Sequence, residues 1–155
     1  MERKMRRGDR QLPGEAAAAL LEKGEVCHLA LVAQGDPYLV TMNYGYHDST
    51  MYFHCAHEGK KMEALANGSR VCFTVVPRHE VVIAEAPCDY SMKYESVIGY
   101  GKIRFLEERE EKRRGLAAIM AQYAPGEFDF PEGSLARTRV FAVDIEELTG
   151  KSNYR

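Results

Sequence analysis

Three strand-like runs follow one another between residues 26 and 56, joined by links too short to carry the chain across a sheet. Val26 to Ala33 is the first. Tyr38 to Tyr46 follows the turn Gln34-Gly35-Asp36-Pro37, and Met51 to Ala56 follows His47-Asp48-Ser49. A parallel return needs a crossover of a dozen or more residues, so links this short force antiparallel neighbours. The three runs are therefore expected to form a meander, and any helix must lie before, after or at the ends of the sheet.

The rest of the chain fits that frame. Glu15 to Glu22 is an alanine-rich helix that stops at Lys23-Gly24. Beyond the meander, Lys60 to Ala66 reads as a short helix, and Arg70 to Val76 and Glu80 to Ala84 as two strands. Met92 to Leu106 reads as one long strand, broken or bent by Gly99 and Gly101. Glu107 to Tyr123 is a charged amphipathic helix, Ala124 to Gly133 a Pro/Gly/acidic loop, and Thr138 to Ile145 a last strand. The expected fold is mainly β: a small antiparallel barrel of six to seven strands with flanking helices, in a single domain spanning residues 1–155. A barrel of that size fills its interior with side chains, so a ligand has to bind outside it, against a helix or a second subunit.

Composition removes several function classes. With 21 basic against 23 acidic residues the formal charge is −2, which supplies no field for nucleic acid. The one basic segment, Arg3-Lys4-Met5-Arg6-Arg7-Gly8-Asp9-Arg10, is interrupted by Asp9 and reads as a solvated arm. No stretch approaches the roughly 20 apolar residues that span a bilayer, and no apolar signal region follows the N-terminus. Cys27, Cys55, Cys72 and Cys88 are widely spaced, with no C-x-x-C pair, which gives neither a zinc site nor a disulfide framework. A reducing, cytoplasmic location fits them.

The chemistry concentrates in Met51-Tyr-Phe-His-Cys-Ala-His-Glu-Gly-Lys-Lys-Met62. An aromatic strand turns at Glu58-Gly59 into a helix whose first residues are Lys60 and Lys61. Positive charge and backbone N–H groups without intrahelical partners converge there, and that suits a phosphate. His54 and Cys55 end the strand, where a planar group attached to that phosphate would lie. His28 reads as a packed or edge histidine. His47, His57 and His79 read as solvated turn or loop residues. Cys88 to Tyr94 is an aromatic, polar loop that could roof a cleft or seal a barrel end.

Four pieces in order carry a family resemblance over almost the whole chain. They are Met5-Arg6-Arg7-x-Asp9-Arg10; Pro37-Tyr38-x-Val40-x-x-Asn43-Tyr44 with Met51-Tyr52-Phe53-His54-x-Ala56-x-x-Gly59-x-Lys61; Ser96-Val97-Ile98-x-Tyr100-Gly101; and Leu148-Thr149-Gly150-Lys151. Together they resemble the pyridoxamine 5′-phosphate oxidase-like split β-barrel flavoproteins, closest to the nitroimidazole-resistance branch. The resemblance implies a homodimer with FMN in clefts between subunits. It places Val40, Thr41 and Met42 along the ring edge, and His54, Cys55 and Ala56 beside the ring and ribityl chain. Lys60 and Lys61 fall at the phosphate, and Ser96 and Val97 approach from the long strand of the partner.

The resemblance also implies an oxidoreductase, in which a nicotinamide donor reduces the flavin and a small acceptor, such as a nitro compound, takes the electrons. No catalytic side chain and no metal are implied, because the chemistry belongs to the cofactor. Two departures qualify this. The oxidase proper has an Arg-Lys pair where this chain has Lys60-Lys61, which gives point charges in place of a bidentate fork. The oxidase's C-terminal substrate-binding set has no counterpart in Ser152-Asn153-Tyr154-Arg155, which argues against pyridoxamine phosphate as substrate. The alternatives are a related barrel that uses deazaflavin or haem, and a non-enzymatic flavin-binding protein.

Overall fold

A computed structural model describes residues 5–66 and 70–154; Arg3 and Lys4 of the basic segment, and Arg155, lie outside the described residues. The elements are β1 (Gln11–Leu12), α1 (Gly14–Lys23), β2 (Cys27–Ala33), β3 (Asp36–Met42), β4 (Gly45–His47), β5 (Thr50–Cys55) and α2 (Lys60–Ala66). They continue with β6 (Arg70–Val82), β7 (Ser91–Phe105), α3 (Arg109–Tyr123), α4 (Glu132–Arg137) and β8 (Arg139–Ser152). All eight strands join one antiparallel sheet in the order β3-β2-β6-β7-β8-β5-β4, with β1 paired to β8. The mainly β barrel with flanking helices is as expected, with eight strands, one of them only two residues long.

The ends of that path explain its shape. β3 and β4 are terminal in the sheet but adjacent in sequence, so Asn43-Tyr44 must bridge the two edges and the sheet must curl. This corrects the single strand expected over Tyr38 to Tyr46. Tyr44 is fully buried at the break, with its hydroxyl donating to the Leu21 carbonyl at 2.6 Å. Its backbone N–H donates to the Tyr123 hydroxyl at 2.9 Å, so a side chain on α3 satisfies a group that a strand partner would otherwise take.

The two strands expected at Arg70 to Val76 and Glu80 to Ala84 are one, β6. Val75 pairs with Val97 and Arg78 with Glu95, so Val76 and Pro77 stand opposite the single residue Ser96. Proline has no N–H to give a ladder, and a bulge is where a strand can carry one without ending. β7 is continuous through Gly99, where an added Cβ would lie 2.2 Å from the Phe73 ring, and its register shifts between Tyr100 and Gly101. β8 runs on to Ser152, well past Ile145. The acidic loop ends in α4, whose Leu135 is buried.

The barrel interior is filled by side chains. Phe53 and Phe141 stack at 5.0 Å between centroids and are fully buried, together with Leu29, Val75, Val97 and Val143. Each such ring contributes about 1.5–3 kcal/mol over an exposed one. α1 buries Ala17, Leu20 and Leu21 on one face. Arg6, Gly8 and Asp9 of the basic segment are exposed, as expected of a solvated arm, but the end of the segment is docked. Arg10 donates to the Tyr94 hydroxyl at 3.3 Å, and Gln11 and Leu12 pair with Lys151 and Gly150. No helix among the described residues is long and apolar enough to cross a membrane.

Candidate functional site

The curled sheet does not close along its whole length. β3 pairs only with β2, so the other edge of Asp36–Met42 carries backbone N–H and C=O groups without a strand partner among the described residues. On the facing side, β4 pairs with Thr50, Met51 and Tyr52 alone. The edge of β5 from Phe53 to Cys55 that faces away from β8 is likewise unpaired there. Two free strand edges thus flank one split, which holds Val40, Thr41 and Met42 on one side and His54, Cys55 and Ala56 on the other.

The start of α2 lies at the β5 side of this split. Gly59 has φ +108°, a conformation costly for any residue with a Cβ, and it sets the helix direction. Lys60 is exposed and Lys61 half-buried, and neither forms an ion pair among the described residues. The Lys60 ammonium stands 4.8 Å above the centroid of the Tyr38 ring, which ties α2 to β3. His57, expected to be solvated, is exposed but has its Nε2 3.1 Å from the Ala136 carbonyl, holding the turn to α4.

Electrostatics link these residues. His54 is exposed on one side, yet partial burial on the other, and then the positive charge of Lys61, lower its pKa. Burial raises the pKa of the Cys55 thiol, against the opposing pull of Lys61 and Arg139. Its Sγ lies 3.6 Å from the Met62 sulfur, so it packs under α2. Lys61 therefore acts on both His54 and Cys55, and an anion beside it would act on the same two groups with opposite sign.

Two strands away, His28 Nδ1 lies 3.0 Å from Thr41 Oγ1. His28 is opposite Thr41 on β3 and Thr74 on β6, and Thr74 donates its hydroxyl to the Val97 carbonyl at 2.8 Å. A polar row thus connects β3 with β7. Val97 is fully buried and Met42 nearly so, and both belong to the core. Ser96 stands at the β6 bulge, on the opposite side of β2 from Thr41 in the sheet order, and the single chain does not bring it to the split. The Tyr38 and His28 contacts were not read from the sequence; only a paired register reveals them.

A cavity of about 820 Å³ lies elsewhere. It runs between α3 and the outer side of β4, β5 and the end of β7, and none of the ten residues expected at a cofactor lines it.

Comparison with known proteins adds the family. The family model described as pyridoxamine 5′-phosphate oxidase matches residues 13–152. A candidate 5-nitroimidazole antibiotic resistance protein from Bacteroides thetaiotaomicron is similar at 32% identity, with 91% of this chain and 85% of that one covered and a TM-score of 0.81. An FAD- and haem-binding protein from Mycobacterium smegmatis shares the fold at 23% identity, with 94% and 74% covered and a TM-score of 0.84. The flavocytochrome Anf3 from Azotobacter vinelandii shares it at 19% identity, with 98% and 73% covered and a TM-score of 0.84. Among curated proteins no match is found.

Proposed function

The chain belongs to the pyridoxamine 5′-phosphate oxidase family, and from that premise we propose that it is an FMN-binding oxidoreductase that works as a homodimer. The observation that carries this reading is the split itself: two free strand edges with two lysines at one end that form no ion pair among the described residues. Lys60 and Lys61 hold the phosphate by charge-assisted hydrogen bonds. The free edge of Val40 to Met42 offers backbone donors and acceptors to the ring heteroatoms, and Thr41 adds a hydroxyl held by His28. His54, Cys55 and Ala56 flank the ring and ribityl chain.

FMN supplies the electron transfer when bound, so the residues here bind, orient and shield without serving as acid, base or nucleophile. A nicotinamide donor and a small acceptor complete the reaction. A nitro compound is the acceptor class that the 5-nitroimidazole resistance relative supports. Lysines in place of a guanidinium fork leave the phosphate less rigidly oriented than Arg would.

The homodimer supplies what one chain lacks. Ser96 and Val97 lie on β7 away from the split, and a second copy brings them to it. The β6–β7 surface beside Ser96 exposes Val76, Val81, Met92, Ile98 and Tyr100, an apolar patch of the kind that partners cover. Free thiols at all four cysteines agree with a cytoplasmic location.

The test is the absorption spectrum and mass of the small molecule that copurifies, followed by addition of NADH or NADPH. Oxidised-flavin bands, an FMN mass and bleaching by the nicotinamide support the reading. Flavin bands that no nicotinamide bleaches leave a binder without this activity. A Soret band, or no retained flavin after FMN is supplied, contradicts the cofactor assignment.

A further inference from the structure

We propose that the cleft under α3 is a binding site for a flat aromatic acid, separate from the flavin split. Its volume of about 820 Å³ falls within the roughly 300–1,000 Å³ typical of small-molecule sites. One wall is the exposed small-residue face of α3 at Ala117 and Ala121. The other is built from Tyr46 on β4, Tyr52 on β5 and the buried Leu106 just after β7. Two tyrosines set across from Ala117, Ala118 and Ala121 leave a slot suited to a flat body.

The polar groups sit at the slot's ends. From Arg114 to Gln122 the α3 axis rises about 12 Å at 1.5 Å per residue, long enough for a two-ring compound. At the Arg114 end, Arg104 donates through Nε and Nη2 to the Asp144 carboxylate at 2.9 and 3.1 Å, leaving Nη1 without a partner among the described residues. Asp144 already answers Arg104, and Glu111 lies near that guanidinium as well. Arg114 has no ion pair among the described residues, so it is the cation left to meet a ligand's acid. At the other end Gln122 is fully engaged: its amide donates to the Leu21, Glu22 and Gly24 carbonyls, and its oxygen accepts from Tyr46 N–H. The wall there is fixed, and the Glu22 carboxylate favours a hydrogen-bond donor on the ligand's far side.

The probe is naphthalene-2-sulfonate, with the neutral 2-naphthol as control, in equilibrium dialysis of the full chain with and without FMN. The sulfonate is expected to bind one molecule per chain, with an affinity that saturating FMN leaves unchanged. Ala117→Leu with Ala121→Leu fills the slot at exposed helix positions and should weaken both probes at least about tenfold. Arg114→Gln should weaken the sulfonate about fivefold or more and leave the neutral probe unchanged. An unaltered melting temperature in each variant shows that the fold is retained. No binding of the sulfonate, displacement by FMN, or equal affinity in wild type and both variants overturns the proposal. Because the FMN-free arm stands alone, failure of the flavin reading does not decide this one.

Discussion

Lys60 on α2 stands over the ring of Tyr38 on β3, with 4.8 Å between its ammonium and the ring centroid. The contact ties α2 to the free edge of β3, beside the split. It holds the lysine beside the split, with no carboxylate among the described residues in an ion pair with it. A cation–π contact at an exposed site contributes only about 0.5–1 kcal/mol, so an incoming phosphate can outcompete it while the empty site stays organised.

His54 should report on the anion. Partial burial, with Lys61's charge adding to it, lowers its pKa below the ordinary value of about 6.5. The unfolded chain then takes up the proton first as pH falls. His54 therefore reduces stability progressively below pH ~6.5, and it has no such effect above that pH. In an NMR titration of the FMN-free protein, His54 should titrate below the ordinary value. Lys61→Met should restore the smaller part of the shift, and bound FMN should raise the pKa. A His54 titrating above the ordinary value without FMN would contradict the arrangement.

Gln122 and Tyr123 clamp three elements. Gln122 donates to the carbonyls that end α1, while the Tyr123 hydroxyl accepts from Tyr44 N–H and donates to the Glu25 carbonyl at 2.6 Å. Removing the Gln122 amide or the Tyr123 hydroxyl takes this partner from part-buried backbone groups, the Tyr44 and Tyr46 N–H and the Gly24 carbonyl among them. Gln122→Ala and Tyr123→Phe should each cost about 1–3 kcal/mol. The cost appears as a lower urea midpoint with an unchanged m-value.

The thiols should separate by environment. Cys88 is exposed, whereas Cys27 is buried and its thiol is pushed up to about 12, by burial first and by Cys72 second. The thiolate is the reactive form. An alkylating reagent at pH 8 should therefore modify Cys88 quickly and reach Cys27 only on unfolding. Mass spectrometry after timed quenching checks the order, and early labelling of Cys27 would show that its strand is open.

Much of this was legible in the sequence, and the reason is local. Short links fix antiparallel pairing, and Glu58-Gly59-Lys60-Lys61 announces a charged strand-to-helix turn whatever surrounds it. What stayed hidden depends on distant partners. The break at Asn43-Tyr44 exists because Tyr123, far along the chain, takes the Tyr44 N–H. Pro77 suggests a strand end and instead sits in a bulge, because Ser96 alone stands opposite two residues. α4 is six residues long and is held by Lys112 donating to the Leu135 carbonyl at 2.8 Å and by Arg109 and Arg113 on Glu132. No periodicity could show so short a helix. The cleft under α3 likewise appears only when Ala117 and Ala121 are set opposite Tyr46 and Tyr52.

The most direct measurement is the FMN affinity of the Lys60→Ala, Lys61→Ala double variant against wild type, with thermal melting of both to verify the fold. Two charge-assisted phosphate contacts should be lost, which predicts affinity weaker by at least about 100-fold with little change in melting of the FMN-free chains. FMN binding within about twofold of wild type in a folded double variant would contradict the account.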